Sequence, residues 1–126
     1  MIKKKIFIVD DEINLAKILK LNLEDTGKYV VEITGESTKA IDKMRSFQPD
    51  LAFIDIMMPG IQGDKIAEMM LDDNELNQVK IIFLSATKLK KSFSRHTAVI
   101  EKIACIRKPV RFDALVSVLE NALGID

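Results

Sequence analysis

The chain lacks the composition of a disulfide-rich protein, a zinc-binding protein or a strongly basic nucleic-acid-binding protein. Its 126 residues include one cysteine, one histidine and no tryptophan, and 19 lysines and arginines are balanced by 19 aspartates and glutamates. A lone cysteine, Cys105, excludes an internal disulfide, and together with a lone histidine, His96, it provides no zinc-ligand spacing. The absence of net charge gives no general attraction to nucleic acid or to an anionic membrane. Any electrostatic function is therefore local.

A long hydrophobic run is also missing from the N-terminal region. The start is basic, Met1-Ile2-Lys3-Lys4-Lys5, but the apolar run that follows, Ile6–Val9, has only four residues before Asp10. That run is too short for a signal peptide or a membrane span. We expect one domain, residues 1–126, located in the reducing cytoplasm, with no contact to membrane and no direct contact to nucleic acid.

Short β-type runs alternate with helix-like stretches five times along the chain. We predict strands at Ile6–Val9, Tyr29–Ile33, Leu51–Ile54, Lys80–Leu84 and Ala104–Arg107. This alternation predicts an α/β fold, a doubly wound five-stranded parallel sheet with five flanking helices. Strands in the middle of such a sheet are covered on both faces, which agrees with their apolar composition.

The helical stretches carry start and stop signals. Gly27 is a predicted stop for the first helix, and Ser37 is a predicted N-cap for the second. The stretch Lys88–Lys102 is the least regular of the five, because its apolar residues are widely spaced and its charge is mostly positive. We expect Cys105, which follows it, to be a small buried hydrophobic residue rather than a redox group.

Polar side chains follow the ends of four predicted strands. They are Asp10 with Asp11, Asp55, Ser85 and Lys108. The carboxyl ends of parallel strands meet at one edge of the sheet, where ligands bind. Three carboxylates there repel one another unless a cation lies among them, and a hydroxyl with an ammonium suits a phosphoryl group. For the first pair alone, an acidic helix start beside Glu12 is an equally good interpretation.

Asp55 makes the phosphoryl interpretation stronger, because it ends an apolar strand and is followed by a turn sequence, Ile56-Met57-Met58-Pro59-Gly60. An ionisable group at the mouth of a core strand is costly unless it is paired or used. In order and spacing, Asp10-Asp11, Asp55 with Met58-Pro59 and Gly63, Ser85-Ala86 and Lys108-Pro109 resemble the receiver domain of two-component response regulators. The resemblance covers essentially the whole chain.

The resemblance implies a CheY-like fold, with the flavodoxin-like strand order 2-1-3-4-5, and a phosphoacceptor. Asp55 would accept a phosphoryl group from a phosphohistidine on a sensor histidine kinase or a phosphotransfer protein. Asp10, Asp11, Asp55 and the backbone carbonyl of Met57 would bind Mg²⁺.

The resemblance also implies a set of groups that neutralise the phosphoryl oxygens. Ser85 would donate its hydroxyl, Ala86 its backbone N–H, and Lys108 its ammonium group. The Lys108–Pro109 peptide bond would be cis, whereas the dipeptide alone is equally a strand-ending proline. Receivers usually have an aromatic residue at the position of Cys105, so the implied conformational switch differs in this chain.

Three other functions compete with the receiver interpretation. Aspartyl-nucleophile phosphatases also combine an aspartate after a core strand with Mg²⁺, a hydroxyl and a lysine, but they carry a second aspartate where this chain has Met57, which cannot transfer a proton. A degenerate receiver would only bind proteins, yet every chemical position is filled here. A flavin-binding protein of similar fold would need a phosphate loop in place of Asp10-Asp11-Glu12. We therefore expect a signalling module and not an enzyme.

The predicted output is a change in the choice of partner. We expect phosphorylation to displace residues Ala86–Lys91 and the basic stretch after them. Lys90, Lys91 and Arg95 would then form a docking surface for an acidic downstream protein. The alternative is that these charges only keep an exposed helix soluble. The domain would be a monomer or a phosphorylation-dependent homodimer.

Overall fold

The computed structural model describes residues 2–86 and 95–125. Five parallel strands form one sheet in the order β2-β1-β3-β4-β5. The strands are β1 Lys4–Val9, β2 Tyr29–Thr34, β3 Leu51–Asp55, β4 Lys80–Ser85 and β5 Cys105–Arg107. The helices are α1 Ile13–Asp25, α2 Ala40–Phe47, α3 Gly63–Leu71, α4 Thr97–Ile100 and α5 Phe112–Leu123. The predicted fold class and strand order are confirmed.

The two faces of the sheet carry separate hydrophobic cores. On one face, α1 and α5 pack through Leu19 and Leu115 against Ile8 and Phe53. On the other face, residues of α2, α3 and α4 pack against the opposite side of the same strands. Because β3 is covered on both faces, all five of its residues are buried, and its run is continuously apolar until Asp55.

Gly27 follows α1, as the sequence predicts, and Gly124 follows α5 in the same way. Gly27 has φ 78° and Gly124 has φ 68°. A side chain with a β-carbon rarely adopts these left-handed angles, so glycine ends a helix at low energetic cost.

The prediction that Ser37 caps α2 is wrong. Ser37 begins a short 3-10 turn, Ser37–Lys39, and α2 begins after it at Ala40. Its hydroxyl forms no capping bond and instead reaches across to the loop between β3 and α3, donating to the Pro59 carbonyl at 2.7 Å. A tertiary contact has replaced the local one that the sequence pattern predicts.

The helical stretch predicted at Lys88–Lys102 falls partly outside the described residues, which do not include 87–94; the described part contains one helical turn, α4. The prediction for Cys105 needs correction, because this residue is exposed rather than buried. Since β5 is an edge strand with an alternating pattern, only its middle residue, Ile106, faces the core. Partial burial still raises the pKa of the Cys105 thiol.

No helix within residues 2–86 and 95–125 combines the length and apolar character that crossing a bilayer requires.

Candidate phosphoryl and metal site

The register of the sheet determines which side chains meet at its carboxyl edge. Val9 of β1 is paired with Ile54 of β3, so the next residues in each strand, Asp10 and Asp55, emerge side by side. Asp55 is itself paired with Leu84, which places Ser85 one residue beyond it on β4. These three positions were predicted from strand ends alone, and the parallel pairing brings them to one edge.

Asp10, Asp11 and Asp55 form a compact acidic cluster. One carboxylate oxygen from each lies within 4.8 Å of the others. Asp10 and Asp55 are 0% and 3% exposed, whereas Asp11 faces solvent. This donor set fits a small hard cation, because Mg²⁺ prefers a few carboxylate oxygens and retains waters on its open side. The cluster could therefore hold a divalent metal ion.

Lys108 provides the positive charge that the protein itself places against the cluster. Its ammonium nitrogen lies 3.0 Å from Asp10 Oδ2, 3.4 Å from Asp55 Oδ2 and 2.9 Å from Glu12 Oε1. Burial opposes its charge, but the hydrogen bonds to Glu12 and Asp10 outweigh burial and raise its pKa. Lys108 is therefore a permanent cation between the acidic residues.

One ammonium group does not neutralise Asp55. Burial first, and then the neighbouring Asp10 carboxylate, raise the pKa of Asp55 to about 7. The ionised form of Asp55 is thus costly in the metal-free protein. A metal ion or an added positive group would relieve that cost.

The remaining predicted site residues lie at the ends of β4 and β5 and in the loop after β3. Ser85 is fully buried at the end of β4, and its carbonyl accepts a hydrogen bond from the Lys108 N–H at 2.9 Å. Ala86 follows it and is exposed. The Lys108–Pro109 peptide bond is cis. The Met57 side chain is 51% exposed. Because Mg²⁺ takes oxygen ligands, only the backbone carbonyl of Met57 could bind it.

Gly63, the first residue of α3, approaches the backbone of Asp55. Its N–H donates to the Ile56 carbonyl at 2.8 Å. A β-carbon at position 63 would overlap the Asp55 carbonyl oxygen and lie 2.9 Å from the Asp55 carbonyl carbon. The sequence motif includes this glycine, but only the structure gives the reason for it.

Sequence reasoning missed the role of Glu12 in this site. Its side chain is 62% exposed, yet it makes the shortest of the contacts to Lys108. Its backbone N–H donates to Asp10 Oδ1 at 2.9 Å, which ties the start of α1 to the cluster. Its position directly after the aspartate pair was the only available signal.

The proposed docking surface can be described only in part. Lys90 and Lys91 lie outside the described residues. Arg95 is mostly exposed, but its guanidinium pairs with Asp72 at the end of α3, and His96 Nε2 also lies 2.8 Å from that carboxylate. Hydrogen bonds from His96 and Arg95 lower the pKa of Asp72. Arg95 therefore links the segment before α4 to the end of α3, in addition to facing solvent.

Comparison with known proteins gives one consistent family. The model of the response regulator receiver domain matches residues 6–120. The polar-differentiation response regulator DivK of Brucella ovis is 27% identical over 98% of both chains. A CheY-like receiver domain protein of Methanospirillum hungatei is 26% identical with a TM-score of 0.82, covering 98% of this chain and 95% of its own. The chemotaxis protein CheY4 of Vibrio cholerae, at 20% identity, shares the fold with a TM-score of 0.84 over 97% of this chain and all of its own.

Proposed function

This chain belongs to the response regulator receiver domain family, and we propose that it accepts a phosphoryl group on Asp55 from a phosphohistidine donor. The donor would be a sensor histidine kinase or a phosphotransfer protein. The observation that carries the proposal is the convergence of the Asp10, Asp11 and Asp55 carboxylates with the Lys108 ammonium at one edge of the sheet.

The proposed chemistry is a transfer from nitrogen to oxygen. A carboxylate oxygen of Asp55 attacks phosphorus, the P–N bond of the donor breaks, and its imidazole leaves. The acceptor must be ionised to act as a nucleophile, and a pKa of about 7 leaves a large fraction of Asp55 ionised at neutral pH. Its backbone is held between β1 and β4, which fixes the direction of attack.

We infer that Asp10, Asp11, Asp55 and the Met57 backbone carbonyl bind Mg²⁺. The metal would neutralise charge on the transferred phosphoryl oxygens. Lys108 remains charged and neutralises a second oxygen from the other side. Ser85 and the Ala86 N–H would serve the third oxygen, and the burial of Ser85 keeps water from competing for its hydroxyl.

We infer a signalling module of the cytoplasm rather than an enzyme. Met57 occupies the position at which an aspartyl phosphatase needs a proton donor, and a thioether cannot supply a proton. The phosphoryl group would instead change which downstream protein the domain binds, with the domain a monomer or a phosphorylation-dependent homodimer.

The direct test is phosphorylation by acetyl phosphate or phosphoramidate with and without Mg²⁺. Intact mass is expected to increase by one phosphoryl group only when Mg²⁺ is present. Peptide mapping is expected to locate that group at Asp55. A modification on another residue, or one that is indifferent to chelator, would reject the proposal.

Replacing Asp11 by asparagine is expected to weaken Mg²⁺ binding by about tenfold or more, because it removes a ligand charge. The same change is expected to raise the melting temperature of the metal-free protein by a few degrees, since it relieves repulsion within the cluster. Calorimetric titration and thermal unfolding measure both effects. Asp25→Asn is the matched control, because Asp25 lies exposed at the other end of α1. Equal Mg²⁺ affinity of Asp11→Asn and wild type would place the cation elsewhere.

A further inference from the structure

The loop between β3 and α3 has few internal supports. Residues 56–62 connect Asp55 to Gly63 and include Met57, the proposed source of a backbone metal ligand. The Gly63 N–H donates to the Ile56 carbonyl and closes the loop at its base. A second hydrogen-bonding contact near the tip of the loop would hold the peptide groups there in a fixed orientation.

Ser37 supplies that second support from a different part of the chain. Its hydroxyl donates to the Pro59 carbonyl at 2.7 Å and accepts from the Ile61 N–H at 2.8 Å. Ser37 is 4% exposed, so water does not readily replace either bond. One oxygen therefore ties together the two peptide groups that flank Gly60.

Gly60 adapts the tip of the loop to this contact. It has φ 86°, and a β-carbon at position 60 would lie 2.7 Å from the Ser37 oxygen. The tip and the hydroxyl are thus fitted closely to each other. A larger residue at either position would separate them.

We propose that Ser37 is a positioning residue for the phosphoryl and metal site. It holds the loop in the conformation that presents the Met57 carbonyl, before any metal or phosphoryl group arrives. The inference rests on the proposed function, because it requires that this carbonyl bind Mg²⁺. The physical basis is preorganisation, since a ligand that is already held in place loses little conformational entropy when the ion binds.

Ser37→Ala tests the inference because it deletes both hydrogen bonds without adding atoms. Mg²⁺ affinity, measured by calorimetric titration, is expected to fall about tenfold, which is the lower range for groups that support metal ligands. Hydrogen exchange of the Ile61 amide is expected to accelerate as its acceptor is lost. The second readout shows directly whether the loop has been released.

Thr34→Val is the matched control. Thr34 is the last residue of β2, three residues before Ser37, and is 3% exposed. Its hydroxyl accepts a hydrogen bond from the Glu36 N–H at 3.2 Å, a contact within the loop after β2 and not with the β3–α3 loop. The control therefore removes a buried hydroxyl while the Ser37 contacts remain. Its Mg²⁺ affinity is expected to stay within about twofold of wild type.

Gly60→Ala disturbs the same contact from the other side. It provides a second test of the contact if Ser37→Ala folds poorly. It is expected to weaken Mg²⁺ binding by itself. In the double variant the added methyl no longer meets the hydroxyl, so the two effects should be less than additive. Strict additivity would show that the contact between the two residues has no role in metal binding.

The outcomes separate this inference from the proposed function. If wild type binds no Mg²⁺, the proposed metal site fails whatever Ser37 does. If wild type binds Mg²⁺ and Ser37→Ala binds it equally well despite a deprotected Ile61 amide, the positioning role is overturned. Equal losses in Ser37→Ala and Thr34→Val would also overturn it, because they would reflect general destabilisation.

Discussion

Replacing Asp55 by asparagine is expected to abolish phosphorylation and, without metal, to make the protein more stable above about pH 7. The first effect follows from the loss of the nucleophile, because an amide oxygen of nearly the same shape does not attack phosphorus. The second follows from the cost of ionising Asp55 in its present surroundings, where burial and the Asp10 carboxylate raise its pKa to about 7.

The pH dependence has a definite sign. An aspartate in the unfolded chain titrates near about pH 4, so between about pH 4 and about pH 7 the folded protein binds more protons than the unfolded one. The free energy of unfolding of wild type should therefore fall as pH rises through this range. Asp55→Asn cannot ionise and lacks this fall. Near pH 8 we expect it to be more stable by roughly 4 kcal/mol.

Urea unfolding in the presence of chelator at several pH values measures this difference, and intact mass measures phosphorylation. Asp25→Asn, which removes an exposed carboxylate at the end of α1, should show neither effect. A constant stability difference between about pH 4 and pH 8 would contradict the electrostatic explanation. Undiminished phosphorylation of Asp55→Asn would remove Asp55 from the mechanism.

Replacing Gly63 by alanine is expected to lower the free energy of unfolding by about 3 kcal/mol. Alanine favours a helix over glycine by roughly 1 kcal/mol, so position 63 at the start of α3 would ordinarily gain from the change. Here the added methyl overlaps the Asp55 carbonyl oxygen and approaches Ile56 Cα to 2.9 Å. Backbone atoms in a buried strand cannot move aside as a flexible side chain can, so the overlap dominates.

The same substitution should slow phosphorylation, because relief of the overlap moves α3 or the peptide that carries Asp55. Gly35→Ala is the control. A β-carbon at position 35 has only ordinary contacts, at 3.5 Å or more, and no left-handed angle is involved. Denaturant unfolding should show a change within about 0.5 kcal/mol for Gly35→Ala. Equal stability of the two alanine variants would mean that the close approach of α3 to β3 is not required.

Burial and pairing explain which sequence predictions failed. Cys105 has an apolar side chain and was expected in the core, but a strand of three residues at the edge of a sheet buries only its middle position. Ser37 matched a helix-capping pattern, yet a buried hydroxyl forms bonds with whatever donor and acceptor lie nearest in space. The surroundings of Cys105 and of Ser37 in the folded protein are not encoded by the few residues next to each of them in the sequence.

Local periodicity in the sequence was enough to predict the fold class and the strand-end positions of the candidate site, whereas the strand order and the roles of the residues came from the resemblance to receiver domains. Apolar runs that end in Asp10, Asp55 and Ser85 indicate strands, and parallel strands place their ends at one edge. The three-dimensional packing was needed to see how the acidic side chains share Lys108, why Gly63 must lack a side chain, and which loop Ser37 holds. Those features depend on distances between residues far apart in the chain, and such distances are set by packing rather than by local pattern.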